Sequence, residues 1–127
     1  MKISQTLKAG LYSGLIAAVI NNLYGIIYKN VTGIKADMIN LVSISLSSIL
    51  PLVIAGLVFY FLASKLKNGG FIFSVTSIIL GLLSLYSSFQ PVLPDGTAVP
   101  QGFALLSAPM HIVAAVCAAI GIPKFSK

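Results

Sequence analysis

The sequence has little of what a water-soluble enzyme uses. It contains no tryptophan, no arginine and no glutamate, and it has one cysteine, one histidine and two aspartates. With Cys117 alone, an intramolecular disulfide and a multi-cysteine metal site are excluded. The net charge of +6 comes from lysines spread along the chain, without the guanidinium groups that clamp phosphates or read bases. We therefore expect no nucleic-acid partner.

Charge of either sign is also scarce. Only 8% of the 127 residues are charged and 57% are hydrophobic, which is too little polar surface to coat a soluble globule. Uncharged stretches of 20 or more residues cover positions 9–28, 38–64, 68–94 and 96–123. Each is long enough to cross a hydrocarbon core of roughly 30 Å as a helix. The sequence predicts an all-α, single-domain bundle of four transmembrane helices, at about 6–28, 39–64, 71–89 and 102–122.

A secretory signal followed by a soluble domain is the main alternative. Lys2 and Lys8 precede an apolar run, as the basic region of a signal peptide does. The first apolar stretch is too long for that role, and the rest of the chain is as hydrophobic as the whole. The four-span interpretation is therefore favoured.

The lysines also predict an orientation in the membrane. With a cytoplasmic amino terminus, one side holds six lysines: Lys2, Lys8, Lys65, Lys67, Lys124 and Lys127. The other side holds Lys29 and Lys35 with both acids, Asp37 and Asp95. The positive-inside rule then places both chain termini in the cytoplasm.

The connection between the second and third helices is short. Residues 65–70 alone join them, so these helices should be antiparallel neighbours. Gly69 is expected to end the second helix in the left-handed cap conformation.

Small residues recur at helical spacing on three of the predicted helices, and such stripes mark helix contacts in lipid. On the first helix they are Gly10, Gly14, Ala17, Asn21 and Gly25. On the third they are Ser74, Ser77, Gly81, Ser84 and Ser88. On the fourth they are Ala104, Ser107, His111, Ala114, Ala118 and Gly121.

Polar side chains fall at one depth in the outer half of the predicted bundle. They form a hypothetical ligand pocket that opens outward and consists of Asn21, Asn22, Ser47, Ser84 and His111, with Tyr24 and Tyr86 near its mouth. Pro51 and Pro109 lie near the same depth and should free the carbonyls of Ser47 and Leu105. The alternative is that these polar groups simply hydrogen-bond between helices.

Enzymatic chemistry is disfavoured because neither acid lies in a predicted span, so nothing acidic could orient His111 beside a nucleophilic serine. No metal site and no cofactor are expected. The sequence favours a non-enzymatic membrane component, either an accessory or interaction subunit or a small-ligand binder, in a homo-oligomer or a larger membrane complex. The alternative is a small channel or carrier using the pocket around His111.

Four features occur together: the Asn21-Asn22 pair, Pro51 followed by apolar residues, a short lysine-bearing loop, and Pro109-Met110-His111. In this combination the chain resembles an uncharacterised family of small four-span bacterial membrane proteins. The resemblance implies a four-helix fold in the bacterial cytoplasmic membrane. It implies no catalytic residues.

Overall fold

The computed structural model of the chain describes residues 2–33, 40–89, 96 and 102–126. These residues form four helical rods, and no strand occurs among them. Helix α1 is Ile3–Thr32, α2 is Leu41–Lys65, and α3 is Gly69–Ser84 with a 3₁₀ extension at Leu85–Phe89. The fourth rod consists of α4 at Phe103–Val116, a π-helical segment at Cys117–Gly121, and α5 at Ile122–Phe125.

The predicted all-α, four-helix architecture is therefore confirmed, and the largest differences are at helix ends. Helix α1 begins three residues earlier and ends four residues later than predicted. It ends at Gly33, whose φ of 69° lets its amide donate to the Lys29 carbonyl at 2.8 Å. Helix α2 begins after Asn40, whose side chain accepts from the amide of Ser43 while the Ser43 hydroxyl accepts from the amide of Asn40.

Helices α1 and α2 pack antiparallel along a glycine seam. A Cβ atom on Gly14 would lie 2.8 Å from the Cα of Ile49. One on Gly10 would meet the carbonyl oxygen of Leu52, and one on Gly56 the carbonyl oxygen of Thr6. The two backbones are thus in direct contact, and the predicted stripe on the first helix is buried along its whole length.

Helix α1 also packs antiparallel against the fourth rod. Contacts run from Tyr28 with Gly102 at one end to Ser13 with Gly121 near the other. Lys2, Lys65 and Lys124 consequently lie at one end of the bundle, which we call the Lys65 end. Helix α2 starts at the opposite end, which we call the Asn40 end.

Helix α3 is the most peripheral helix and approaches α2 near the Lys65 end. The rings of Phe59 and Phe73 pack edge to face with centroids 5.1 Å apart. Leu66, with an extended backbone, ends α2, whereas Gly69 is the first residue of α3. The prediction of a left-handed cap at Gly69 is wrong: a glycine is required there because any Cβ would strike the carbonyl of Leu62.

Two prolines lie inside the fourth rod, and each leaves a carbonyl that a neighbouring helix supplies with a donor. The Leu105 carbonyl, four residues before Pro109, accepts from the Tyr24 hydroxyl. The Ala119 carbonyl, four residues before Pro123, accepts from the Ser74 hydroxyl at 2.8 Å. The π-helical segment carries the rod past Pro123 to Phe125, three residues beyond the predicted end at residue 122.

The outward surface of the bundle is apolar. On α3, for example, Leu80, Leu82 and Leu83 are each more than half exposed. Soluble monomers rarely present such continuous apolar surface, and lipid is the solvent that accommodates it. Three rods, Ile3–Thr32, Leu41–Lys65 and Ala104–Phe125, are long and apolar enough to span a bilayer, and α3 is a shorter apolar helix. The chain is a helical membrane protein.

Candidate functional site

Asn21 lies where α1, α2 and α4 come together, and only 3% of its surface is exposed. Its side-chain nitrogen donates to the hydroxyl of Ser48 on α2 at 3.0 Å. The same nitrogen donates to the backbone carbonyl of Met110 on α4 at 3.4 Å. Asn21 thereby links three helices through one amide group.

A cavity of about 230 Å³ opens beside Asn21. Its polar lining consists of Asn21, Ser43, Ser47, Ser48, Ser107 and His111. Its apolar lining consists of Ile44, Met110 and Ala114. No residue of α3 contributes, so the cavity belongs to the group formed by α1, α2 and α4.

Helical periodicity explains why these side chains converge. Ser43 and Ser47 are one turn apart on α2, as are Ile44 and Ser48, so two adjacent stripes border the cavity. On α4, Ser107, His111 and Ala114 repeat at four and three residues and lie on one face. The predicted small-residue stripe on the fourth helix thus faces protein, and it brings His111 to the cavity wall.

Some of the predicted pocket residues line the cavity, and the others lie outside it. Asn21, Ser47 and His111 line the cavity together. Asn22 lies instead in a smaller recess with Lys29 and Asn40, where its amide donates to the carbonyl of Ala18 at 2.8 Å and to Ser45 at 3.1 Å.

The other predicted members also lie elsewhere. The Ser84 hydroxyl donates to the carbonyl of Gly81 in its own helix at 2.6 Å, and α3 lies away from the cavity. The hydroxyl of Tyr24 donates to Leu105, as described above, and the ring stacks on Tyr28 with centroids 5.7 Å apart. Tyr86 is 74% exposed. These three side chains do not border the cavity.

Sequence reasoning missed Ser43, Ser48, Ser107 and Met110 as lining residues. Two signals were available: Ser107 lies one turn before His111, and Ser43 lies one turn before Ser47. Met110 carried no such signal, because it reaches Asn21 through its backbone carbonyl, which any residue type would present.

The chemistry of the cavity is that of neutral hydrogen bonding. The described residues of its lining carry hydroxyls, one amide, one imidazole and one thioether, and no carboxylate, ammonium or thiol is among them. Within the described ranges, no three His, Cys, Asp or Glu side chains come together as metal ligands would. Cys117 packs half-buried against the core cluster, outside the cavity lining.

No protein-family model matches the chain, and neither the curated proteins nor the solved structures searched contain a match.

Proposed function

We propose that this chain is a non-enzymatic membrane protein that binds a small molecule in the cavity between α1, α2 and α4. The observation that carries the proposal is the cavity itself: three helices place six polar residues around one space in a bundle whose outer surface is apolar. Polar groups inside membrane spans are costly and tend to mark functional sites. A cavity this size suits a ligand smaller than the drug-sized molecules that fill pockets of roughly 300–1,000 Å³.

Conduction through the bundle is less well supported. Between the cavity and the Lys65 end, Ala17, Leu52 and Ala118 are almost wholly buried and belong to the close-packed core. The glycine seam at Gly10 and Gly14 brings two backbones into contact over the same depth. This packing favours a binding pocket closed at its inner end over a continuous path.

An accessory subunit that meets partners through its small-residue faces is also less well supported. Gly14 is covered by Ile49 of α2, and Gly81 is covered by Ala115 of α4, so both glycines are used within the chain. Enlarging either glycine would disrupt the fold as well as any complex. Homo-oligomerisation through the apolar outer faces remains compatible with the proposal.

The proposed setting is the bacterial cytoplasmic membrane, with four spans and both termini inside. Helix α3 and its 3₁₀ extension together reach about 34 Å, which is enough for a fourth crossing. Lys2, Lys65 and Lys124 at one end of the bundle match the positive-inside pattern. The cavity then lies in the outer half of the membrane.

Co-purification tests the proposal directly. Ala114→Leu should fill the cavity, whereas Val116→Leu, on an exposed position of the same helix, should leave it open. Mass spectrometry of detergent-purified protein should detect a small molecule with the wild type and with Val116→Leu, and lose it with Ala114→Leu. An identical set of small molecules in all three preparations would contradict ligand binding at this site.

A further inference from the structure

Two aromatic rings meet on the outside of the bundle toward the Lys65 end, away from the cavity. The rings of Tyr12 on α1 and Phe125 on α5 pack edge to face with centroids 6.2 Å apart. Both rings stay partly open, with 50% of Tyr12 and 42% of Phe125 exposed. The pair therefore joins the outer faces of the two helices into one surface.

Lys8 lies on the α1 side of this surface. It is four residues before Tyr12, so the two residues lie one turn apart on the same face of the helix. Lys8 is exposed, whereas Ala9 and Ser13, which lie on the inner face of α1, are buried. Helical side chains lean toward the helix N-terminus, so the Tyr12 ring leans toward Lys8.

Lys124 lies on the α5 side of the same surface. Ile122 and Ser126, one turn apart, are both buried and mark the inner face of this last turn. Lys124 is two residues from each of them and therefore lies on the opposite, outer face, where it is exposed. Phe125, the next residue, connects it to Tyr12.

The two lysines also lie at nearly the same depth. A Cβ atom on Gly121 would strike the hydroxyl of Ser13, so these two residues are level with each other. From that contact Lys8 is five residues nearer the Lys65 end and Lys124 is three, which correspond to about 7.5 and 4.5 Å. We call the resulting surface the Lys8 patch, and it consists of Lys8, Tyr12, Lys124 and Phe125.

The charge and position of the Lys8 patch fit an acidic phospholipid. Helices α1 and α3 end at the Asn40 end, and the segments that follow them carry Asp37 and Asp95, the two acids of the sequence. Lysine stems lie along apolar surface while their ammonium groups reach the membrane–water boundary, where tyrosine rings also concentrate. An anionic headgroup there is attracted by two cations. A zwitterionic headgroup gains less, because the lysines repel its own ammonium group.

We propose that the Lys8 patch binds the headgroup of an acidic phospholipid, with the phosphate between Lys8 and Lys124 and the acyl chains against the rings of Tyr12 and Phe125. The site lies toward the opposite end of the bundle from the cavity and does not depend on ligand binding there. It differs from a general attraction of lysines to a charged membrane, because two lysines on adjacent helices act on one headgroup.

Native mass spectrometry with matched lipids tests the proposal. Phosphatidylglycerol and phosphatidylcholine with identical acyl chains are titrated into the detergent-purified protein, and glycerol 3-phosphate serves as the soluble anion. Each lysine should contribute about fivefold, so phosphatidylglycerol should bind about 25-fold tighter than phosphatidylcholine. Equal binding of the two lipids, or binding of glycerol 3-phosphate as tight as that of phosphatidylglycerol, would overturn the proposal.

Charge-matched variants separate the Lys8 patch from the other lysines of this end. Lys8→Gln and Lys124→Gln should each reduce the preference for phosphatidylglycerol about fivefold, and together they should abolish it. Lys65→Gln combined with Lys67→Gln removes the same charge from exposed positions of the same end and should keep the preference. If this control pair lowers the preference as much as the first pair does, the attraction is diffuse and the proposed site is wrong.

Discussion

The Tyr24 hydroxyl donates its hydrogen bond to the Leu105 carbonyl, the group that Pro109 deprives of its helical donor. This hydrogen bond joins α1 to α4 at the end of the bundle where the cavity lies. Tyr28, one turn later, donates in the same way to the carbonyl of Gly102 at 2.8 Å. Two stacked tyrosines thus hold the start of α4 against α1, and this contact keeps Ser107 and His111 at the cavity wall.

A double-mutant cycle should show that the Tyr24 hydrogen bond stabilises the protein more when Pro109 is present. Tyr24→Phe should lower the free energy of unfolding by about 0.6 kcal/mol, and by no more than about 1.7 kcal/mol, the range for hydrogen bonds between membrane helices. Pro109→Ala restores a backbone donor for Leu105, so the same tyrosine change should cost less in that background. Unfolding in mixed micelles titrated with SDS measures all four proteins. An equal loss of unfolding free energy on Tyr24→Phe in both backgrounds would show that the Tyr24 hydroxyl does not replace the donor that Pro109 removes.

The glycine seam predicts a contrast between two alanine substitutions. Gly56→Ala places a methyl group against the carbonyl of Thr6 and should destabilise the protein by about 1–3 kcal/mol, as overpacking does. Gly70→Ala meets only the ring of Phe59 at 3.9 Å, so it should be neutral or stabilise by less than about 1 kcal/mol. Thermal midpoints in detergent compare the two. A seam that tolerated Gly56→Ala without loss would show that α1 and α2 are not in backbone contact.

Ser74 should matter more than its neighbour Ser77. Ser74→Ala removes the donor to the Ala119 carbonyl beside Pro123 and should cost about 1 kcal/mol. Ser77 lies one turn later on the same helix, and Ser77→Ala should have little effect. Hydrogen exchange should also rise in residues 117–125 in the first variant alone. Similar behaviour of both variants would mean that Ser74 does not support the π-helical segment.

The proposed topology is tested by labelling. In a Cys117→Ser background, Lys67→Cys should react with a membrane-impermeant maleimide only after the cells are opened. Asp95→Cys, which lies outside the described residues, should react in intact cells. Labelling of both positions from the same side would rule out the orientation that the lysines predict.

How far the sequence predicts the fold depends on the kind of signal. Charge spacing predicted four helices because lipid excludes lysine and aspartate, and this exclusion does not depend on packing details. The stripe from Gly10 to Gly25 predicted the buried face of α1 because small residues let neighbouring helix backbones approach closely. The rod extends three residues past the end predicted at residue 122, because Ser74 donates to the carbonyl four residues before Pro123, and this contact joins residues 45 apart in the chain.

The site was harder to predict than the fold. Depth alone placed Ser84 with Asn21 and His111, because residues at one level of a bundle look equivalent until the neighbours of each helix are known. Ser84 lies on α3, which takes no part in the cavity. Asn21 and Asn22 are adjacent and therefore about 100° apart on a helix, and only the packing of α1 against α2 and α4 decides that Asn21 borders this space while Asn22 lies in the smaller recess.

The π-helical segment Cys117–Gly121 also sets the rotational phase of the chain after it. Such a segment holds one residue more than an α-helix of the same rise, and one residue corresponds to about 100° of rotation. Ile122 and Ser126, which follow the segment, are both buried. Deleting one residue within the segment would therefore shorten the rod by little and yet direct its last turn away from α1.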